Sequence, residues 1–306
     1  MTQRFAVRLS WDFVGPNGER VWGDDLGMGP LDVEPDLVEW SILQGSGREI
    51  GPEHIADCDG LVLLTSRVTE RTFERGAERL TIVGRHGVGY DSVNVAACTA
   101  HDVALFITPE SSRHPVAAAA VTFILALSRR VLEKDQLVRA GRWADRQGYV
   151  GHEIQRKTLG IIGLGNIGRE VVRLLAPFEM RVLAHDPFLA PDRVPAGVEL
   201  VPLETLLRES DYVSIHCLLT PETHHLIGDA ALSMMKPTAH LINLARGPIV
   251  DQVALTAALS SRQIAGAALD VFDPEPIRPD DPLLALDNVI CDTITAHRRR
   301  VDRGIS

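Results

Sequence analysis

Short apolar segments alternate with amphipathic ones along most of this chain. Four segments of the first third have the apolar character of strands, at 4–9, 60–64, 80–83 and 103–107, and a helical pattern lies between them at 69–79. Strands that alternate with helices predict a parallel α/β sheet.

A long helical pattern follows at 115–140. Pro115 stands at its first position and Gly141 follows its end, which matches the usual preference for proline in the first turn and glycine after the last. The first half is rich in alanine and apolar nearly all round, so we expect it to be buried.

The alternation restarts after a polar stretch. Strands are predicted at 159–163, 181–185, 212–215, 240–244, 264–269 and 288–291, and helices at 166–175, 203–209, 229–235 and 251–259. These segments form a second α/β unit, and a length of 306 residues agrees with about two domains.

Composition excludes several classes of function. The net charge is −10, so the chain lacks the extended basic surface of a nucleic-acid-binding protein. The short arginine cluster at 298–300 is either a solvated tail or a small surface for a partner.

The four cysteines show no CxxC spacing, which argues against a metal site and a disulfide framework. The longest apolar run, 116–127, is shorter than the ~20 residues of a membrane span. With no signal peptide pattern at the start, we expect a cytoplasmic protein without a membrane partner.

The sequence LGIIGLGNIG at 159–168 contains the motif GxGxxG, formed by Gly163, Gly165 and Gly168. It follows an apolar strand and opens a helix, the context in which such a motif holds the pyrophosphate of a dinucleotide. Asp186 ends the next strand, close to the spacing of ~20 residues expected for the carboxylate that binds the ribose 2′-hydroxyl. An acid there repels a 2′-phosphate, so NAD is favoured over NADP.

Two further strand ends carry candidate chemistry. Arg246 follows the apolar strand of 240–244, where a guanidinium can bind a carboxylate with two bonds, or form an ordinary surface salt bridge. Glu275 lies between two prolines in LDVFDPEP, where it can orient a histidine for proton transfer, or serve as a plain turn carboxylate.

These motifs together resemble the D-isomer-specific 2-hydroxyacid dehydrogenase family. The matching stretches are GRHGVGYDSVNV (84–95), LGIIGLGNIG (159–168), VSIHCLLTPETHHLIG (213–228), MKPTAHLINLARGPIVD (235–251) and LDVFDPEP (269–276). The resemblance implies an α/β protein in which a Rossmann NAD-binding domain, 110–285, is inserted into a flavodoxin-like substrate domain, 1–109, to which 286–306 returns. It also implies a homodimer through the helix 115–140.

The resemblance assigns roles to individual residues. Arg246 would bind the substrate carboxylate or carbonyl oxygen, the backbone amides near Val88 and Gly89 would hold the other end of the carboxylate, and Glu275 would pair with a catalytic histidine. The cofactor would be lined by Gly163, Gly165, Asn166, Ile167, Gly168, Asp186, His216, Thr220, Ala245 and Asp270, with Asp270 at the nicotinamide carboxamide.

The C-terminal segment departs from the family pattern. Members of the family carry Thr-Pro-His or Ala-Pro-His after the last strand, whereas 288–297 here reads NVICDTITAH, so Ile294 stands at the histidine position and His297 comes three residues later. Two alternatives stay open. Either a shifted loop brings His297 to Glu275, or the tail from about Asp292 differs through truncation or a changed reading frame and the histidine role is unfilled.

The sequence therefore predicts an NAD-dependent oxidoreductase that interconverts a small 2-oxo acid and its D-2-hydroxy acid, with glyoxylate, hydroxypyruvate and 3-phosphoglycerate as candidate substrates. The alternative is an NAD(H)-binding protein with impaired catalysis.

Overall fold

A computed structural model describes residues 4–15, 17–20 and 29–293. The chain divides into two compact units, Met1–Ser112 and Arg113–Ser306. Each unit is built around a parallel sheet of its own.

The first unit contains five parallel strands in the order β2-β1-β3-β4-β5, which is the order of the flavodoxin fold. The strands are β1 Phe5–Leu9, β2 Val38–Ile42, β3 Gly60–Leu63, β4 Ile82–Arg85 and β5 Ala104–Ile107, and the short helices are α1 Gly29–Asp32, α2 Pro52–Ile55 and α3 Val95–Ala100. This confirms the expected flavodoxin-like class.

Two details of the first unit differ from the sequence prediction. The segment 69–79 is not a helix but a single 3-10 turn, Glu70–Phe73, because the chain turns at Gly76, whose φ is +82°. The edge strand β2 was not predicted, although Val38, Trp40 and Ile42 alternate with polar residues.

The second unit contains seven parallel strands in the order β12-β11-β10-β9-β6-β7-β8. The strands are β6 Thr158–Ile162, β7 Arg181–His185, β8 Val198–Leu200, β9 Tyr212–Ile215, β10 His240–Asn243, β11 Gly266–Leu269 and β12 Val289–Cys291, and the helices are α4 Pro109–Arg129, α5 Val131–Arg139, α6 Asn166–Leu175, α7 Leu203–Glu209, α8 Asp229–Met234 and α9 Gln252–Ser260. The six strands β6 to β11 follow the Rossmann order, with β12 added at the edge.

The position of β12 corrects part of the expected domain boundary. The segment 286–306 was expected to return to the first domain, but β12 pairs in parallel with β11, with Leu269 opposite Cys291. The apolar residues Val289 and Ile290 pack against the core of the second sheet, so the described part of this segment belongs to the second unit.

The core of the second unit lies on both faces of its sheet. Alternate residues of β6 illustrate this arrangement, since Ile161 packs in one apolar cluster and Ile162 in the other. Helices α7, α8 and α9 cover the second face, and α4 and α6 cover the first. Both faces are buried, as expected for a parallel sheet.

The long helical segment is longer and less regular than predicted. It begins at Pro109 rather than Pro115, so Pro115 lies inside α4, and it breaks at Arg130, whose φ and ψ of 52° and 48° are left-handed. The buried first half is confirmed, since Val116, Ala117 and Ile124 are at most 3% exposed.

Among the described helices, no single one has the length and apolar character to cross a membrane. The pair α4 and α5, bent by 58°, passes this test together by length and composition alone.

Candidate active site

The candidate site residues of the second unit gather at one edge of its sheet. All seven strands are parallel, so their carboxyl ends share that edge. The residues that directly follow β6, β7, β9 and β11 are Gly163, Asp186, His216 and Asp270, and Arg246 comes three residues after β10.

The glycine motif forms a turn that admits no side chain at two of its positions. Gly163 has a φ of +90°, and a Cβ atom on it would lie 2.6 Å from the backbone nitrogen of Cys217. A Cβ atom on Gly168 would lie 2.4 Å from the carbonyl oxygen of Gly163. The turn after β6 therefore packs directly against the loop after β9, at the point where the strand order reverses.

The start of α6 fits a pyrophosphate group. No side chain caps this ten-residue helix, so the amides of Asn166 and Ile167 at its start are not used by a capping side chain. A Cβ atom on Gly165 would meet no protein atom within 4 Å, so this position faces open space where a ligand can approach the backbone. Helix N-termini with this arrangement bind phosphate groups.

Asp186 is held in a fixed orientation beside the glycine turn. One carboxylate oxygen accepts a hydrogen bond from the backbone N–H of Leu164 at 2.9 Å, and the other accepts one from that of Phe188 at 3.1 Å. Each carboxylate oxygen can accept a second bond, so the side chain keeps acceptor capacity for ribose hydroxyls.

The loop after β9 supplies a neutral histidine. The Nε2 atom of His216 lies 2.8 Å from the hydroxyl of Ser214. Burial lowers the pKa of His216 to about 4, so the ring carries no charge near neutral pH. Thr220, in the same loop, donates its N–H to the hydroxyl of Thr223 at 2.8 Å.

The loop after β10 is fixed by a buried asparagine, which sequence analysis missed. Asn243 is 1% exposed; its Oδ1 accepts the N–H of Ala245 at 3.0 Å, and its Nδ2 donates to the carbonyl of Arg246 at 2.9 Å. Arg246 in turn donates from Nη1 to the carbonyl of Ala245 at 2.7 Å. A polar residue that ends an apolar strand just before a candidate arginine was the available signal.

The loops of Arg246 and Glu275 contact each other. A Cβ atom on Gly247 would lie 1.8 Å from the carbonyl oxygen of Phe272, so only glycine permits this approach. Glu275 turns back toward the same residue, because its Oε1 accepts the N–H of Phe272 at 3.0 Å. The structure thus brings together the two segments that sequence analysis selected.

Asp270 is the most buried acid at this edge. The residue is 4% exposed, and among the described residues its Oδ1 has no hydrogen-bond partner. Burial first, and then the negative charges of Asp292 and Glu275, raise the pKa of Asp270 to about 7. A buried polar atom without a partner is costly unless a ligand or water satisfies it, which fits a carboxamide at this position.

The candidate substrate-binding amides belong to the first unit. Val88 and Gly89 follow β4 of the first unit, in a turn held by Thr108, whose hydroxyl accepts the N–H of Gly87 at 2.8 Å. His297 lies outside the described residues.

One contact between a half-exposed histidine on α4 and a largely buried glutamate on α6 was also missed. His114, whose role sequence analysis left open, has its Nδ1 at 2.8 Å from Oε1 of Glu170 on α6. The same carboxylate accepts two bonds from Arg173, and these partners lower its pKa to about 2. This pair joins two helices of the second unit.

The chain matches a known family over more than half of its length. Residues 121–298 match the model described as D-isomer specific 2-hydroxyacid dehydrogenase, NAD binding domain. This stretch includes the glycine motif, Asp186, Arg246 and Glu275.

Curated relatives and solved structures agree with this match. A glyoxylate reductase of Korarchaeum cryptofilum is 42% identical over 87% of this chain and 81% of its own length. A D-3-phosphoglycerate dehydrogenase of Archaeoglobus fulgidus is 37% identical over 83% of this chain, which spans only 48% of that longer protein. An NAD-dependent formate dehydrogenase of Staphylococcus aureus, solved in complex with NAD, is 29% identical with a TM-score of 0.81, over 96% of this chain and 90% of that one.

The relatives are reductases and dehydrogenases, and they do not favour the alternative of an NAD(H)-binding protein with impaired catalysis. The matched domain binds NAD in this family, and NAD fits the glycine turn, the open helix start and the oriented Asp186 described above. The chain belongs to the D-isomer specific 2-hydroxyacid dehydrogenases, a family of NAD-dependent oxidoreductases.

Proposed function

We propose that this protein reduces a small 2-oxo acid, with glyoxylate first among the candidates, to the 2-hydroxy acid. The observation that carries the proposal is the close contact between the loops of Arg246 and Glu275, beside the buried Asp270. The 42% identity to a glyoxylate reductase favours glyoxylate. Hydroxypyruvate and 3-phosphoglycerate remain candidates. The second is suggested by the similarity to a D-3-phosphoglycerate dehydrogenase that is about twice as long as this chain.

Different loops at the carboxyl edge of the second sheet would contact different parts of the cofactor. Gly163, Gly165 and Gly168 would admit the pyrophosphate, Asn166 and Ile167 would donate to it, and Asp186 would accept from the ribose. His216, Thr220 and Ala245 would line the site toward Asp270, which would contact the carboxamide. When bound, NADH supplies the hydride.

Arg246 and two backbone amides are the proposed substrate contacts. Arg246 would bind the substrate carboxylate or carbonyl with its guanidinium, whose planar donors suit two parallel hydrogen bonds. The amides near Val88 and Gly89 would hold the other end of that carboxylate. Glu275 would orient the histidine that protonates the carbonyl oxygen, and His297 is the proposed histidine.

We also propose that the protein is a cytoplasmic homodimer that uses the helix 115–140. In the structure this segment comprises most of α4 and all of α5, and its second part carries an unusual apolar surface. The side chains that are 45% to 68% exposed there and in the following turn are Val131, Leu132, Val138, Trp143 and Val150. Exposed apolar groups this close in sequence are typical of an interface.

The first prediction concerns turnover. Purified protein mixed with NADH and a panel of 2-oxo acids should lose absorbance of NADH with at least one acid. Arg246→Ala should lower kcat/KM by about a hundredfold or more and leave NADH binding intact, because it removes the proposed carboxylate contact. Arg278→Ala is the matched control, since Arg278 is exposed and paired with Asp280. Tight NADH binding without turnover of any acid would contradict the proposed function.

The second prediction concerns the proton donor. If His297 protonates the carbonyl oxygen, His297→Ala should lower kcat by roughly 10²–10⁴, the usual contribution of general acid catalysis. His224→Ala, which removes an exposed histidine, should have no effect. An unchanged rate in His297→Ala would remove this residue from the mechanism.

The third prediction concerns cofactor choice. Asp186→Arg should raise the affinity for NADPH relative to NADH, because it replaces a repelling charge by an attracting one at the ribose end. The ratio of the two dissociation constants can be measured by fluorescence titration. Asp192→Arg introduces the same charge at a nearby exposed position and should leave the ratio unchanged. An unaltered ratio in Asp186→Arg would mean that the ribose contact lies elsewhere.

The fourth prediction concerns assembly. Light scattering should give a mass twice the 33.4 kDa of the chain for the unmodified protein. The double variant Val138→Glu with Trp143→Glu should give the mass of one chain, because two charges would be buried at the interface. Val253→Glu, at an exposed apolar position on α9, is the control and should stay dimeric. A monomeric unmodified protein at micromolar concentration would refute the dimer.

A further inference from the structure

Asp292 lies directly beside Asp270. The register of β11 and β12 places Leu269 opposite Cys291, and the next residue continues the ladder, because the N–H of Asp292 donates to the carbonyl of Leu269 at 2.9 Å. Asp270 and Asp292 therefore stand at corresponding positions, each directly after one of two adjacent parallel strands, and residues at corresponding positions of paired strands point to the same face of a sheet.

The two carboxylates have different surroundings. Asp292 is exposed, and its Oδ1 accepts the N–H of Thr293 at 2.8 Å. Asp270 is buried, and its Oδ1 has no partner among the described residues. Two nearby carboxylates repel each other when both are ionised. The free energy of ionisation is higher for the buried carboxylate of the pair, because it is desolvated.

The charged groups that act on Asp270 come from each neighbouring segment. Glu275 follows on its own loop, and Asp292 extends β12; both are acids and both raise the pKa of Asp270. The loop after β10 carries Arg246, whose guanidinium donates to the carbonyl of Ala245. In the described part of the chain, no group of three or more acidic, histidine or cysteine side chains is arranged to hold a metal ion.

We infer that Asp292 is a positioning residue that acts through Asp270, adds its negative charge to the burial that disfavours the ionised form of that carboxyl, and thereby contributes to a choice between NADH and NAD⁺ that depends on pH. This inference rests on the proposed function, because it requires Asp270 to lie at the nicotinamide end of the cofactor.

The expected sign follows from the charge of the nicotinamide ring, which is positive in NAD⁺ and neutral in NADH. A protonated Asp270 is neutral and gives NAD⁺ no attraction. An ionised Asp270 attracts the positive ring, so NAD⁺ gains affinity as pH rises through about 7, the pKa of this carboxyl. By linkage, NAD⁺ that binds below this pH releases a proton from Asp270, whereas NADH binding releases none.

The experiment measures both dissociation constants between about pH 6 and pH 9 by fluorescence and calorimetry on the full-length protein. The ratio of the NAD⁺ constant to the NADH constant should fall by about tenfold from the acid to the alkaline end, the effect of one unit charge at short range in a partly screened site. Calorimetry in buffers of different ionisation enthalpy should detect the proton released with NAD⁺.

The variants separate the two acids. Asp292→Asn should move the midpoint of this change to lower pH, because it removes one negative neighbour of Asp270. Asp270→Asn should abolish the pH dependence and leave the ratio at its high, acid value. Asp287→Asn removes an acid earlier in the same segment, where it pairs with Arg262, and should behave like the unmodified protein.

Three results would each contradict a different part of this inference. A ratio that stays constant with pH in a protein that binds both nucleotides would overturn the inference alone. A midpoint unchanged in Asp292→Asn would overturn the role of Asp292. Failure to bind either nucleotide would overturn the proposed function, and the inference with it.

Discussion

The contact between Gly247 and the carbonyl oxygen of Phe272 sets the geometry on which the candidate site depends. A Cβ atom at this position would lie 1.8 Å from that oxygen, so the approach of the two loops is possible only without a side chain. Gly163 has the same effect at the middle of the sheet, where it allows the turn after β6 to pack on the loop after β9. Close packing of backbone therefore holds the loops that carry the candidate side chains in place, and rigid support of this kind suits a site that must position reacting groups closely.

Buried polar groups complete this support. Asn243 uses both ends of its amide to fix the loop of Arg246, and its own carbonyl accepts the N–H of Asp270 at 3.0 Å. The ends of β10 and β11 are therefore linked through one residue. Because Asn243 is 1% exposed, losing one of these partners would leave a buried polar group of Asn243 unsatisfied, at a cost in stability.

The sequence was sufficient for the features that local pattern controls. A strand followed by a glycine turn and a helix, as around Gly163, commonly forms a dinucleotide-binding turn. The position of Arg246 at the carboxyl edge follows from the end of β10. The features that were missed depend on other causes. The long helix breaks at Arg130, because this single residue has a left-handed backbone conformation within a favourable helical pattern. The prediction of a helix at 69–79 was wrong because the chain turns at Gly76. The pairing of β12 with β11 involves strands separated by a long loop, and no local pattern distinguishes a last strand that joins the second sheet from one that returns to the first.

The two acids at the ends of the proposed cofactor site show how position decides the behaviour of one residue type. Asp186 stands next to the start of α6 and has backbone donors facing both of its oxygens. Asp270 stands between two other acids, is almost fully buried, and has an oxygen that no donor among the described residues reaches. The surroundings of Asp186 favour an ionised carboxylate that accepts hydrogen bonds from hydroxyl groups. The surroundings of Asp270 favour a protonated carboxyl, which a nearby positive charge would ionise. Since Asp292 replaces the small or hydroxylated residue that the family pattern would place before a proline and a histidine, the segment that departs from the family also changes the charge of the site it joins. A change in the C-terminal segment would thereby act on the proposed nicotinamide end of the site through the neighbouring strands β11 and β12.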